Sequence, residues 1–341
     1  MSAIASPELV RDPVWLAHRL TEDAAHVRML RADRAARHRA AFATDQYLPA
    51  GLPDGWVERR AAAAVAEPGA PLALILHSAF CCSTLLANLL DVQGAASVVK
   101  EPVLLNDLTG LRARGVQPRE LSAATADALA LLARPFEAGE AVVLKPSNLV
   151  NPLAPTLMAL RPEAHVVLLF APLEVFLTSV ASKGVEGRMW VRELAWKLKP
   201  WGTIDFGLTP EQEFRLTDLQ VAAIGWLGQH RLFHELARRF PARVAAIDSE
   251  QFLARAPEAL AAIVRHLRLN LSADAAAGLA SGPEFLRNAK TGEAFDVAAR
   301  TAVHAGPAQA NADEIAKVAA WTRAVAANSS VPMELGPSLL A

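Results

Sequence analysis

The stretch LALILHSAFCCSTLLANLL, residues 72–90, runs from a short apolar strand through a polar turn into an apolar helix. Four further runs share this form, each followed by a turn and a helical segment: ASVVKEP (96–102), AVVLKPS (141–147), HVVLLFAP (165–172) and RVAAIDS (243–249). They are nearly continuous in hydrophobicity rather than alternating, as strands buried on both faces of a parallel sheet must be. Strand, crossover and helix in alternation predict an α/β fold with a five-stranded parallel sheet.

The flanks are read from spacing and breakers. Residues 13–68 are rich in Ala, Arg, Glu and Leu at helical spacing, with a break at LPAGLPDG (48–55), so an N-terminal helical extension over 1–70 is expected. The α/β domain then covers 71–310. A helical insertion at 188–240 carries Trp190, Trp196, Trp201 and Trp226. PEALAAIVRHLRLNLS (257–272) has the pattern of an amphipathic helix, and 311–341 form a C-terminal helix and tail.

Composition narrows the class. The chain has 341 residues, 52% of them hydrophobic, a net charge of −1 and no block of like charges, which gives no reason to expect nucleic acid or an anionic membrane as partner. The most apolar stretch, HVVLLFAPLEVFLTSVA (165–181), contains Glu174 and a proline and is too short to span a bilayer. The first twenty residues lack the basic start and apolar core of a secretory leader. Cys81 and Cys82 are the only cysteines and are adjacent, so no structural disulfide is available and a cytoplasmic location is expected. Nothing in the sequence sets the oligomeric state.

The turn after the first strand opens onto a helix N-terminus, where free amides and the helix dipole favour an anion. Ser78, Ser83 and Thr84 add hydroxyl donors. A phosphate or sulfate cradle is therefore expected, with simple helix capping as the plainer role. Several known turns are excluded by their letters: the glycines and lysine of G-x-x-x-x-G-K-[ST] and the G-x-G-x-x-G fingerprint are both absent. A phosphatase pairing Cys with Arg six residues later also fails, because those positions hold Ala87 and Asn88. A helix N-terminus can activate Cys81 or Cys82, against their role as small buried residues. His77 with the two cysteines is too small a set for zinc, so no metal is expected.

Taken together, HSAFCCSTLL after the first strand, KEP after the second, LKPSN after the third and IDSEQFLARAPEALAAIVRHL resemble the sulfotransferase family over residues 72–300. The resemblance implies a P-loop-like three-layer α/β fold and 3′-phosphoadenosine 5′-phosphosulfate (PAPS) as donor co-substrate. It aligns Phe80, Cys81, Cys82, Ser83 and Thr84 with the family's cradle for the 5′-phosphosulfate, and Phe170 to Thr178, with Ser179 next, with its 3′-phosphate element. In both the family's cation is a phenylalanine here. FLRNAKTGEAFD is similar to the C-terminal loop that supplies a basic residue, which points to Lys290. Compensating cations are sought among Lys100, Lys145, Lys183, Arg188, Arg287 and Lys290.

Sulfuryl transfer is in-line displacement and needs a base for the acceptor proton and cations for the developing negative charge. Glu101, at the carboxyl edge of the second strand, is the expected base, and the resemblance adds to that assignment. Lys145 is the expected cation, or else a structural partner of Glu101, and His77 is a second candidate base. The acceptor is expected to be a small molecule with a hydroxyl or amine. An anion- or nucleotide-binding protein without turnover is the alternative, and a kinase-like phosphotransferase is disfavoured by the missing lysine of the turn.

Overall fold

The computed structural model describes residues 6–66, 69–294, 306–307 and 309–340. The five runs form one parallel sheet. Its strands are β4 (Leu72–His77), β5 (Ala96–Lys100), β6 (Ala141–Lys145), β7 (His165–Phe170) and β8 (Val244–Asp248), in the spatial order β5-β6-β4-β7-β8. Successive residues of β4 point to opposite faces. Leu72, Leu74 and Leu76 join a core shared with the helices Val103–Ala113 and Pro118–Leu132, while Ala73 and Ile75 pack against Ser83–Leu90, Leu173–Ser182 and Ala256–His266. Both faces are covered, which explains the unbroken apolar runs.

The register brings particular side chains to the carboxyl edge. Lys100 of β5 pairs with Lys145 of β6, and the Glu101 amide donates to the Lys145 carbonyl. Because the chain rises from β4 and returns to either side of it, the turn after β4 sits between the ends of β6 and β7, where open parallel sheets bind ligands.

The N-terminal region differs from the helical expectation. Residues 15–58 contain a three-stranded antiparallel sheet, β1 (Trp15–Leu20), β2 (His26–Arg31) and β3 (Asp54–Glu58), with only the short helices Arg34–Arg39 and Arg59–Ala66 beside it. The reason is tertiary. Asp107 of the helix after β5 accepts from Arg19 Nε at 2.9 Å and the Leu20 amide at 2.9 Å, and Arg28 Nε donates to Asp54 across the β2–β3 pair at 2.5 Å. These partners are far apart in sequence, so they are invisible to local spacing. Between β7 and β8 lie the helices Gly184–Leu198, Pro210–Phe214 and Asp218–Arg239, and the tail contains the helix Ala312–Asn328. Among the described residues no helix is long and apolar enough to cross a membrane.

Arg34 joins the N-terminal region to the parallel sheet. Its guanidinium donates to Glu140 at 2.6 Å, Asp91 at 3.1 Å and the Ala96 carbonyl at 2.6 Å, and the Glu140 side chain is fully buried. Removing one partner of such a pair strands a buried charge. Arg34→Met is expected to lower unfolding free energy by about 3 kcal/mol in urea titrations; a loss below about 0.5 kcal/mol, the range of ordinary surface changes, would show that this joint does not hold the two parts together.

Candidate anion-binding and transfer site

The turn after β4 has an unusual backbone. Ala79, Phe80 and Cys82 all have positive φ, at 72°, 52° and 60°. None is glycine, so each conformation costs about 1–3 kcal/mol and persists only because its surroundings hold it. Left-handed residues in such a turn direct neighbouring amides into one concavity, the geometry of an anion nest. The turn ends in the helix Ser83–Leu90, whose N-cap position, Cys82, makes no side-chain capping bond. Two anchors fix the turn from outside: the Ala171 amide donates to Ser78 Oγ at 3.1 Å, and the Ala79 amide to His77 Nδ1 at 3.1 Å.

Three of the expected residues meet at this edge. Lys145 is fully buried and its ammonium donates to Glu101. His77 Nε2 lies 3.6 Å from Glu101 Oε1. Glu101 itself has a φ of 47°, a second strained position beside the strained turn. Its side chain is 17% exposed, so the carboxylate is reachable although its partner is sealed.

His77 is unsuited to act as a base. Its Nδ1 accepts from the Ala79 amide and its Nε2 faces the Pro146 carbonyl at 3.1 Å, so both ring nitrogens are engaged by the backbone. Burial, with the positive fields of Lys145 and Lys290, holds its pKa well below the usual histidine value. It is a neutral strut. Burial likewise pushes the Cys81 thiol up, against the opposing field of Lys145, which makes it unreactive at neutral pH.

The hydroxyls divide into two sets. Ser83 bonds the Cys81 sulfur, and Thr84 is buried in the first helical turn. Thr178 and Ser179 instead donate to the Glu174 and Val175 carbonyls of their own helix, each at 2.8 Å. As they stand, their protons are unavailable to a ligand.

Phe80 belongs to an aromatic cluster. Its ring packs on Phe176 at 5.7 Å and Trp190 at 5.2 Å between centroids, and Lys183 Nζ sits 6.0 Å from its centre. Lys290 lies in the field of Glu101, Lys145, Lys183 and Cys81. Three lysines from three separate elements thus gather around the turn. The other sought cations lie elsewhere or are occupied: Lys100 donates to the His38 carbonyl at 2.7 Å and Asn88 Oδ1 at 2.6 Å, and Arg188 pairs with Glu314 at 3.3 Å. At the end of β7, Phe170 packs edge-on against His230 at 5.4 Å, which stacks on Trp226 at 4.3 Å. The nearby Glu174 is paired with Arg323. The turn thus has lysines about it, whereas the β7 end offers an apolar and self-neutralised surface.

The insertion bears on the site through one face only. Trp190 touches Phe80, and the Trp226 indole donates to the Ala171 carbonyl at 2.8 Å, whereas Trp196 is 77% exposed. Phe42, from the N-terminal region, was missed: Lys145 Nζ lies 5.1 Å and Lys290 Nζ 5.5 Å from its ring centre. Its surroundings in sequence, RAAFATD, carry no signal of that position. Among the described residues no group of three or more His, Cys, Asp or Glu could hold a metal ion.

The fold and the site define an α/β protein with a strained, glycine-free turn at a helix N-terminus and an adjacent carboxylate–ammonium pair. No family model matches the chain, and no curated protein matches it. Among solved structures, the sulfotransferase domain from the curacin biosynthetic pathway is similar over 66% of this chain and 81% of that domain, at 18% identity and a TM-score of 0.40. The sulfotransferase domain from the Synechococcus PCC 7002 olefin synthase is similar over 69% and 84%, at 15% identity and a TM-score of 0.38.

The imidazole stack at the end of β7 sets an acid response. His230 is buried, which lowers its pKa from 6.5 to about 4 against the opposing bond to the Met333 carbonyl. The unfolded chain therefore takes up this proton first as pH falls below 6.5, and stability is lost at about 1.4 kcal/mol per unit until the folded pKa is reached. His230→Phe is expected to reduce the drop in unfolding free energy between pH 7 and pH 5 by roughly 2 kcal/mol. An unchanged drop would mean that His230 is not held neutral.

Proposed function

We propose that this protein is a sulfotransferase, passing the sulfuryl group of PAPS to the hydroxyl or amine of a small-molecule acceptor in the cytosol. The observation that carries the proposal is the Glu101 carboxylate, held by buried Lys145 and still open to solvent beside the strained turn. In this mechanism the 5′-phosphosulfate lies in the turn against the amides leading into Ser83–Leu90 and the Thr84 hydroxyl. The acceptor oxygen attacks sulfur while its proton passes to Glu101. The bond between sulfur and the bridging oxygen breaks on the opposite side. Lys145, Lys183 and Lys290 stabilise the charge left on the departing phosphate, and most of the rate comes from that electrostatic placement.

The phenylalanines at 80 and 170 favour a second reading, a binding protein on the same fold with no turnover. An assay of PAPS-dependent release of 3′-phosphoadenosine 5′-phosphate across hydroxyl and amine acceptors separates the two. The enzyme is expected to turn over, and Glu101→Gln to lower kcat roughly 100- to 10,000-fold while nucleotide affinity stays within about threefold. Release equally fast in the variant would remove Glu101 as base. Nucleotide binding without release for any acceptor would favour the binding protein.

A further inference from the structure

Three ammonium groups around one turn repel each other, and the carboxylate among them, Glu101, is bonded to Lys145 and offsets only part of that repulsion. The group that faces two of them comes from the N-terminal region. Phe42 presents its ring to Lys145 Nζ at 5.1 Å and to Lys290 Nζ at 5.5 Å. Its neighbour Ala43 is stitched to the chain on both sides of Glu101: the Ala43 amide donates to the Lys100 carbonyl at 2.6 Å, and the Val103 amide to the Ala43 carbonyl at 3.4 Å. Two residues beyond Ala43, Asp45 accepts from His18 Nε2 at 2.9 Å and Arg28 Nη1 at 3.2 Å, side chains of β1 and β2. Tyr47 closes the loop with its ring edge-on to Phe42 at 4.9 Å.

We propose that Phe42 is a positioning residue of the anion site: its ring holds the ammonium groups of Lys145 and Lys290 side by side, and the N-terminal sheet keeps the ring in place. The inference rests on the anion site proposed above. A ring is suited to this task in a way that a second carboxylate is not. The face of an aromatic ring attracts cations through its quadrupole but carries no net charge. Lys145 is already bonded to Glu101, and the ring adds attraction for both lysines without the second negative charge that would cancel what remains and repel an incoming anion.

The test uses the full chain and inorganic pyrophosphate as probe, with calorimetry for affinity and thermal unfolding to check folding. Phe42→Leu keeps an apolar side chain of similar size but loses the quadrupole, and is expected to weaken pyrophosphate binding about 5- to 10-fold. Phe42→Trp is expected to bind within about twofold of the parent or tighter, because indole is the stronger cation partner. Asp45→Asn loosens the anchor and leaves the ring, and is expected to weaken binding about two- to threefold, the smaller effect of the two. Leucine binding as tightly as phenylalanine, or tryptophan as weakly as leucine, would overturn the inference. If the leucine variant does not fold, unchanged affinity in Asp45→Asn does the same. Failure of the parent protein to bind pyrophosphate would remove the anion site itself, whereas parent binding that is indifferent to residue 42 removes only the role of Phe42.

Discussion

A fully buried lysine ammonium has to find a partner, and Lys145 finds Glu101. That requirement ties the carboxyl ends of two neighbouring strands together and places a carboxylate beside the turn after β4. Stranding either charge in the interior would cost several kcal/mol. The pair also explains why Glu101 sits in a strained left-handed conformation: its amide is spent on the Lys145 carbonyl while its side chain curls back to the Lys145 ammonium. Strain at Glu101 and at Ala79, Phe80 and Cys82 is concentrated at one edge of the sheet, which is where stored backbone strain is expected to serve function.

The arrangement differs from a phosphate loop built on glycine and a resident lysine. Here the turn holds its shape without glycine because its start is anchored through His77 and Ser78, both buried. The lysines near it come from elsewhere, from β6, from the end of the helix Leu173–Ser182 and from the loop at Lys290. The Phe80 ring, freed from any ligand role, packs the turn against Trp190 of the insertion. Turn and insertion are in this way mechanically joined.

Much of the parallel sheet was legible because a strand buried on both faces leaves a local trace, a short unbroken apolar run. The hydroxyls of the turn and the Lys145 and Glu101 positions at strand ends were legible for the same reason, since each closes such a run. What sequence spacing could not supply is whatever depends on distant partners. The antiparallel strands at 15–58 carry charged residues, among them Arg19 and Arg28, whose partners Asp107 and Asp54 lie outside any local window, and their alanine- and arginine-rich surroundings mimic a helix. The positive φ values at Ala79, Phe80 and Cys82 were equally hidden, because no glycine marks them. His77 had the letters of a base, and only the two backbone bonds reveal a strut.

The central claim is that the turn and its borrowed lysines bind the phosphate end of a nucleotide. Its most direct measurement is a calorimetric titration with 3′-phosphoadenosine 5′-phosphate, run beside ADP and ATP at one fixed salt concentration because such affinities depend on screening. Saturable binding of the first nucleotide, tighter than ADP, is the predicted result. No heat from any of the three would contradict the account, leaving a strained turn and three lysines with no anion to hold.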